Sequence, residues 1–237
     1  MTNLVALSVE QHADLKVNDN VGFDHVSNQH VVPIVAHEFT QVASDVPVVF
    51  VKHSETGQFQ PVAMLGLQPG ENLLVKDGKW QGMYIPGIIA TFPFRLMPTE
   101  QDQQQLVLAL DTDAKQVGTD EGIALFQDGA ESEYLANRKN AITTYFEHSQ
   151  VTQGFVQLLS ELDLLVERNL TVEVGDQKIN LNGLYLVDEQ KLNELDDEKF
   201  LDLRKRGVLA VIYAHLNSIS QIRRLGKFKS EQGEAAA

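Results

Sequence analysis

The sequence predicts an α+β fold, in which a proline-rich, mainly β N-terminal part packs with a helical C-terminal part containing a small antiparallel β-sheet. All seven prolines lie at or before Pro98, and proline is poorly tolerated inside helices and central strands. Apolar residues at helical spacing dominate from about residue 132 onward, as is typical of amphipathic helices. Between two such stretches the apolar period changes to two, which indicates strands.

Short apolar runs bounded by prolines predict the strands of the N-terminal part. Residues 46–52 and 62–67 form two such runs, and residues 106–110 and 123–126 form two more. Asp77-Gly78 separates two apolar arms, and this pair readily takes the positive φ angles of a tight hairpin turn. The N-terminal part is therefore expected to consist mainly of strands and turns.

In the C-terminal part, apolar spacing predicts helices over residues 132–147 and 152–168. Alternation then predicts two antiparallel strands that turn at Gly175-Asp176, and Asn182-Gly183 is a second turn signal. The polar stretch 111–122 is expected to be a linker or loop.

The last third of the chain is predicted to be helical again. Asp188 and Asp196 are expected to cap helix N-termini, and Gly207 to end a helix in the left-handed conformation. One apolar stripe predicts a helix over 208–226. We therefore expect a first part at 1–115, a second at 123–226, the two packed as one compact unit, and a disordered tail at 227–237.

The net charge of the chain indicates which classes of partner it is expected to bind. A formal net charge of −14 over 237 residues disfavours nucleic acids, which need a basic face. The basic residues at 204–206 and 223–229 are interpreted as complements of helix C-termini, with a phosphate-binding patch as the alternative. No apolar run is long enough for membrane insertion, and the N-terminus resembles no signal peptide. We expect a soluble cytoplasmic protein, with signal-independent export left open.

Two strings, GENLLVKDGKW and YIPGIIATFPFRLM, carry a family resemblance. With the ending GVLAVIYAHLNSISQIRRL, they resemble the SapC-like family of bacterial proteins over about residues 30–226. The residues that match the family pattern include Asn72, Gly78, Trp80, Tyr84, Pro86, Pro93, Phe94, Gly207, His215, Ser218 and Leu225. The family pattern has basic residues before the aromatic-Pro-Phe element, where this chain has Ala90 and Thr91, so anion binding there is not implied.

The resemblance implies a role more than a mechanism. The family takes its name from bacterial surface-layer systems, and many members resemble accessory proteins linked to flavin-dependent halogenases, cupin-like proteins and outer-membrane receptors. It implies no catalytic residues for this chain.

Known catalytic and ligand-binding motifs are absent from the sequence. The chain has no cysteine, no glycine-rich phosphate loop and no serine in a nucleophile setting. A metal-dependent enzyme using His30, His37, Glu38 or His53 is an alternative, although metal-site spacing is missing. His215 and Ser218 are one helical turn apart and are expected to satisfy each other or cap a buried helix face. We expect no cofactor and lean against an enzyme.

The aromatic–proline segment is the most distinctive feature of the sequence. Rings and prolines alternate over about fifteen residues, and this combination builds either a local core or a recognition surface. The sequence thus favours a non-catalytic accessory protein that recognises a protein or peptide partner, such as a modifying enzyme or its substrate. A surface-layer-associated structural protein is the other alternative. The expected binding residues are Asn72, Trp80, Tyr84, Pro86, Phe92, Phe94 and Arg95.

Overall fold

A computed structural model of the chain describes residues 3–99, 102 and 105–235. Helices and small antiparallel sheets are both abundant and the C-terminal part is largely helical, which confirms the α+β class. The strands are β1 (Leu4–Ala6), β2 (Lys16–Val17), β3 (Val31–Pro33), β4 (Val48–Lys52), β5 (Phe59–Met64), β6 (Val75–Lys76), β7 (Lys79–Trp80), β8 (Phe94–Pro98), β9 (Leu106–Asp111), β10 (Val117–Gly118), β11 (Ile123–Ala124), β12 (Phe126–Gln127), β13 (Ala130–Glu131), β14 (Leu165–Val174) and β15 (Gln177–Val187). The α-helices are α1 (Val9–His12), α2 (Phe39–Val42), α3 (Gly87–Ala90), α4 (Glu133–Glu161), α5 (Glu189–Asn193), α6 (Asp197–Lys205), α7 (Leu209–Ser218) and α8 (Ile222–Ala235).

The chain divides into two compact units, each built from two separate segments. Unit 1 comprises Met1–Gly22 and Gly87–Glu147, and unit 2 comprises Phe23–Pro86 and His148–Ala237. This division differs from the predicted parts at 1–115 and 123–226. The predicted linker at 111–122 lies within unit 1, where β10 pairs with β2. Proline content reports where helices can form, and it carries no information on which distant segments pack together.

Unit 1 is a small sheet packed against the first half of α4. The strand order is β1–β9–β8, all antiparallel. Phe94 pairs with Leu110, and Leu96 pairs with Leu108 two residues further along. Because opposite residues share a face of the sheet, these side chains form one apolar face. Phe94 and Leu110 belong to a buried cluster that also contains Leu135 of α4.

Unit 2 is organised around a five-stranded antiparallel sheet in the order β14–β15–β4–β5–β3. Val48, Val49 and Phe50 of the central strand β4 are fully buried. A run of consecutive apolar residues is typical of a strand covered on both faces. The C-terminal hairpin β14–β15 was predicted as a separate small sheet, but it joins the N-terminal strands because β15 pairs with β4.

Local turn chemistry explains several correct predictions. At the β6–β7 hairpin, Asp77 and Gly78 have φ angles of 50° and 70°. Asp188 accepts hydrogen bonds from the backbone N–H groups of Gln190 and Lys191, so it caps α5 as predicted. Asp196 accepts one from Lys199 at the start of α6. Gly207 has a φ of 73°, so the predicted helix end is also confirmed.

The predicted helices at 132–147 and 152–168 are one continuous helix, α4, which ends at Glu161. Residues 148–151 contain neither glycine nor proline, so nothing interrupts the helix there. Asp163 then takes a positive φ of 53°, and from Leu165 the chain runs as β14, paired with β15. The apolar stripe that predicted helix up to residue 168 was therefore wrong in its last part.

The second turn predicted in the C-terminal part was also wrong. Asn182-Gly183 does not turn the chain, because both residues lie inside β15, where the register shifts between Arg168 and Leu170 of the partner strand. One type of β-bulge takes a glycine with positive φ, as a tight turn does, and Gly183 has a φ of 73°.

The tail predicted to be disordered over 227–237 continues as helix α8 to Ala235, and its last two residues lie outside the described part of the chain. The predicted helix 208–226 is likewise divided into α7, a 3₁₀ turn at Ile219–Gln221 and α8. Lys229 of α8 forms an ion pair with Glu71, and the side-chain amide of Gln232 donates to the Leu73 carbonyl at 3.4 Å. These contacts join positions about 160 residues apart in the chain, so local sequence gave no sign of them.

Candidate functional site

A buried carboxylate holds the loop that follows β7 in unit 2. Oδ2 of Asp45 accepts hydrogen bonds from the backbone N–H groups of Met83 at 2.6 Å and Tyr84 at 2.8 Å. Its Oδ1 accepts from Nη1 of Arg224 at 2.6 Å. The Asp45 side chain is only 2% exposed. Hydrogen bonds to an ionised group are stronger than neutral ones, so this loop, residues 81–84, is firmly anchored.

The Trp80 side chain joins the two ends of the same loop. The indole Nε1–H donates to the carbonyl of Tyr84 at 2.9 Å, and the ring packs against Phe23 with centroids 5.7 Å apart. Gly82 lies between these groups. A Cβ at this position would be 2.7 Å from Nε1 of Trp80 and 3.0 Å from Oδ2 of Asp45. The loop therefore needs glycine for close approach, although its φ angle is not unusual.

Tyr84 is fixed at its hydroxyl as well as at its backbone. The hydroxyl donates to Oε1 of Glu38 at 2.8 Å, and Oε2 of Glu38 accepts from the backbone N–H of Val35 at 3.0 Å. Glu38 is 6% exposed. A second buried carboxylate thus connects the loop to the segment that precedes α2.

The outcome of this anchoring is that Met83 projects into solvent from a rigid backbone. Its side chain is 78% exposed, more than any other large apolar side chain in the described part of the chain. Methionine is unbranched and polarizable, and it adapts to differently shaped apolar pockets. We call residues 80–84, with Met83 at the tip, the Met83 loop.

The residues predicted as one binding segment are divided between the two units. Trp80 and Tyr84 belong to the Met83 loop, and the buried Pro86 is the last residue of the first segment of the same unit. Asn72 has a structural role, because its side chain accepts from Leu74 N–H and donates to the Val26 carbonyl.

The remaining three predicted residues are in unit 1. Phe94 is 1% exposed in the core of that unit, beside Tyr134 with ring centroids 6.3 Å apart. Phe92 is half-buried and Arg95 is exposed. The core interpretation therefore holds for Phe94, and the Met83 loop is shorter than the predicted segment.

Three residues of the site were missed by sequence reasoning. Asp45 and Arg224 were not considered as site residues, and Met83 was passed over in favour of the rings around it. Asp45 contacts residues 38 and 179 positions away. Gly82 between Trp80 and Tyr84 was the only local sign of a tightly closed loop.

The histidines considered for a metal site are arranged differently from a chelating cluster. His37 stacks on His148, with ring centroids 3.6 Å apart and planes 8° apart. Burial and the charge of His148 lower the pKa of His37. Across residues 3–99, 102 and 105–235 there is no group of three or more histidine, aspartate or glutamate side chains placed to hold a metal ion. Glu38 is used by Tyr84 and Val35, as described above.

His215 and Ser218 are both fully buried on α7 and hydrogen-bond to the sheet. Nδ1 of His215 donates to the Val48 carbonyl at 2.7 Å, and its Nε2 accepts from Val187 N–H at 3.0 Å. The Ser218 hydroxyl donates to the His215 carbonyl at 2.6 Å and accepts from Val48 N–H at 2.9 Å. Burial lowers the pKa of His215 to about 4, against the opposing effect of the Val48 hydrogen bond. Both side chains are thus committed to backbone groups.

The fold and the site define an α+β protein with an anchored, apolar-tipped loop. The chain belongs to the SapC family, whose model matches residues 7–225. No curated protein and no solved structure matches it. Within the described residues, no helix combines the length and the apolar character needed to span a membrane.

Proposed function

We propose that this SapC-family chain is a non-catalytic accessory protein that recognises a protein or peptide partner through the Met83 loop. The partner would be a modifying enzyme or its substrate, in keeping with the family resemblance. The observation that carries the proposal is the buried Asp45 carboxylate, which fixes the backbone under an exposed Met83 side chain.

The geometry supports binding for an energetic reason. Association costs free energy because loops and side chains become ordered at the interface. A loop already held by Asp45, Trp80 and Glu38 has little backbone freedom left to lose. Interface hot spots are side chains buried in well-packed, desolvated pockets of the partner, and the exposed Met83 side chain can be buried in this way.

The test is site-specific photo-crosslinking in the source cell. A benzophenone amino acid placed at position 83 is expected to capture one partner, whose identity is read by mass spectrometry. The matched control carries the same group at Val151, an apolar residue of unit 2 that is 59% exposed. Equal labelling from both positions would mean non-specific apolar contact and would contradict the proposal.

Binding of the captured partner then measures the contribution of the side chain. Met83→Ser is expected to weaken binding at least tenfold, because the truncated residue no longer fills an apolar pocket. Val151→Ser is expected to bind like the wild type. If Met83→Ser also binds like the wild type, the Met83 loop is not the recognition element.

A further inference from the structure

Unit 1 contains a cavity that the Met83 loop proposal does not use. It has a volume of about 460 Å³, within the range of roughly 300–1,000 Å³ typical of small-molecule sites. Its apolar walls are the sheet residues Leu96 and Leu108, together with Leu7, Phe126 and Leu135. On the same face of the sheet, the next pair of opposite residues, Phe94 and Leu110, lies in the buried core of the unit.

The side of α4 that lines the cavity changes from apolar to polar residues along its length. Leu135, Lys139 and Thr143 follow one another at intervals of four on α4, so they lie on one side of the helix, and all three line the cavity. Only the first is apolar. Leu96 and Leu108 pack against the buried cluster but stay only partly buried, and the rest of each side chain lines the cavity. The cavity is open to solvent at Glu131, Lys139 and Thr143, which are exposed, so an apolar ligand lying against the partly buried leucines would remove their remaining surface from water.

An ion pair stands on the polar side of the cavity. Nζ of Lys139 lies 2.9 Å from Oε1 of Glu131, and the two side chains are 51% and 45% exposed. Both residues line the cavity. A positive and a negative group side by side give no net preference for a charged ligand head. They do suit a neutral head that accepts a hydrogen bond from Lys139 and donates one to Glu131.

We propose that unit 1 binds a medium-chain aliphatic alcohol or amide, with the chain against Leu96 and Leu108 and the neutral head between Lys139 and Glu131. The hydroxyl of an alcohol and the primary amide share this capacity to donate and accept. Burial of the chain supplies the affinity, because apolar surface leaves water. The head-group pair supplies the selectivity, because a charged head would be placed beside one charge of its own sign.

A set of ligands with the same chain tests the head-group claim. The full-length protein is titrated with 1-octanol, octanamide, octanoate and octylammonium, and amide chemical-shift changes report the site and the affinity. The two neutral ligands are expected to shift signals of residues around the cavity and to bind at least tenfold more tightly than the two ions. Equal binding by all four would indicate non-specific apolar association and would overturn the proposal.

Two neighbouring helix positions test the place of binding. Thr143 and Thr144 are consecutive exposed residues of α4, but only Thr143 lines the cavity. Thr143→Phe is expected to fill the space and reduce 1-octanol binding at least tenfold, while Thr144→Phe is expected to bind like the wild type. Because both variants add the same ring to the same helix, unchanged binding by Thr143→Phe would place the ligand elsewhere.

The charged pair gives a further readout that a purely structural role would not produce. Lys139→Gln leaves Glu131 alone, so octylammonium is expected to gain affinity relative to octanoate. Glu131→Gln leaves Lys139 alone and is expected to reverse that order. If both variants rank the two ions in the same order as the wild type, the pair does not contact the head group. These results are independent of partner capture at Met83, so failure of either proposal leaves the other intact.

Discussion

At the scale of single residues, the His215 side chain bridges backbone groups of β15 and β4 at a point where the two strands do not pair directly. Strands β15 and β4 pair directly at Leu184 with Val51 and at Tyr185 with Phe50. Two residues further along, Val187 N–H and the Val48 carbonyl are joined through the His215 ring. Only the neutral imidazole with its proton on Nδ1 can donate to the carbonyl and accept from the N–H. The sheet in this region is therefore sensitive to protonation of a single side chain.

The pKa of His215 predicts a specific loss of stability in mild acid. Its folded-state pKa is about 4, and histidine in an unfolded chain has a pKa of about 6.5. The unfolded state therefore binds an extra proton between these values, so stability is full above about pH 6.5 and falls as the pH drops to about 4. The contribution lost is about 3 kcal/mol.

The measurement is urea unfolding at several pH values for the wild type and for His215→Gln. The variant is expected to be less stable at pH 7, because a flexible amide replaces the rigid ring that joins Val187 and Val48, and to show a smaller decrease in stability between pH 6.5 and 4. His53 is exposed, and His53→Gln is expected to keep the wild-type pH dependence. A His215→Gln variant with the wild-type pH dependence would show that other groups cause it.

At the scale of elements, the Met83 loop shows why a short segment can be misread from sequence. The rings and prolines were visible, and so was the Asp77-Gly78 hairpin beside them. The loop is determined by Asp45, whose contacts lie far away in the chain. In contrast, the hairpin and the caps at Asp188 and Asp196 are set by residues within three positions. Local chemistry predicts local geometry, and the anchoring of the site is not local.

Gly82 gives the loop a sensitive test. Gly82→Ala is expected to destabilise the protein by about 1–3 kcal/mol, because the added Cβ meets Trp80, Asp45 and Leu74 at 3.0 Å or less. Gly154 in α4 has no atom within 4 Å of a Cβ. Gly154→Ala is expected to stabilise by about 0.5–1 kcal/mol, because alanine favours the helix interior.

Denaturant unfolding of the two alanine variants measures whether the free energy of unfolding falls for Gly82→Ala and rises for Gly154→Ala. The chemistry of the substitution is the same, so a difference between them reports the surroundings of each glycine. If Gly82→Ala were as stable as the wild type, the Met83 loop would have room to relax. Its proposed rigidity, and with it the energetic argument for binding, would then be lost.

At the scale of the whole molecule, sequence composition and packing divide the chain in different ways. The predicted boundary at 111–122 follows the end of the proline-rich region. The observed units each combine an N-terminal segment with a later one. Leu110 and Leu135 illustrate the difference, because they fall in different predicted parts but in one buried cluster. Fold class could be predicted from periodicity, but the grouping of segments depends on strand pairing between residues about 100 or more positions apart.

Hydrogen exchange distinguishes these two divisions. Leu110→Ala removes a fully buried side chain and is expected to cost roughly 2–5 kcal/mol. If unit 1 is a cooperative unit, amides in residues 135–147 of α4 lose most protection in this variant, and amides of β5 lose less. Val49→Ala, in the centre of unit 2, is expected to give the opposite pattern.

The predicted division at 111–122 gives a different expectation, since it would place Leu110 with β5 and apart from α4. A Leu110→Ala variant that exposes β5 while leaving residues 135–147 protected would therefore favour the composition-based boundary. Loss of protection confined to residues 135–147 and the unit 1 strands would instead show that folding cooperativity follows the packed segments. The cavity between Leu96, Leu108 and Thr143 would then lie wholly inside one folding unit. Its ligand would raise the exchange protection of residues 135–147 more than that of β5.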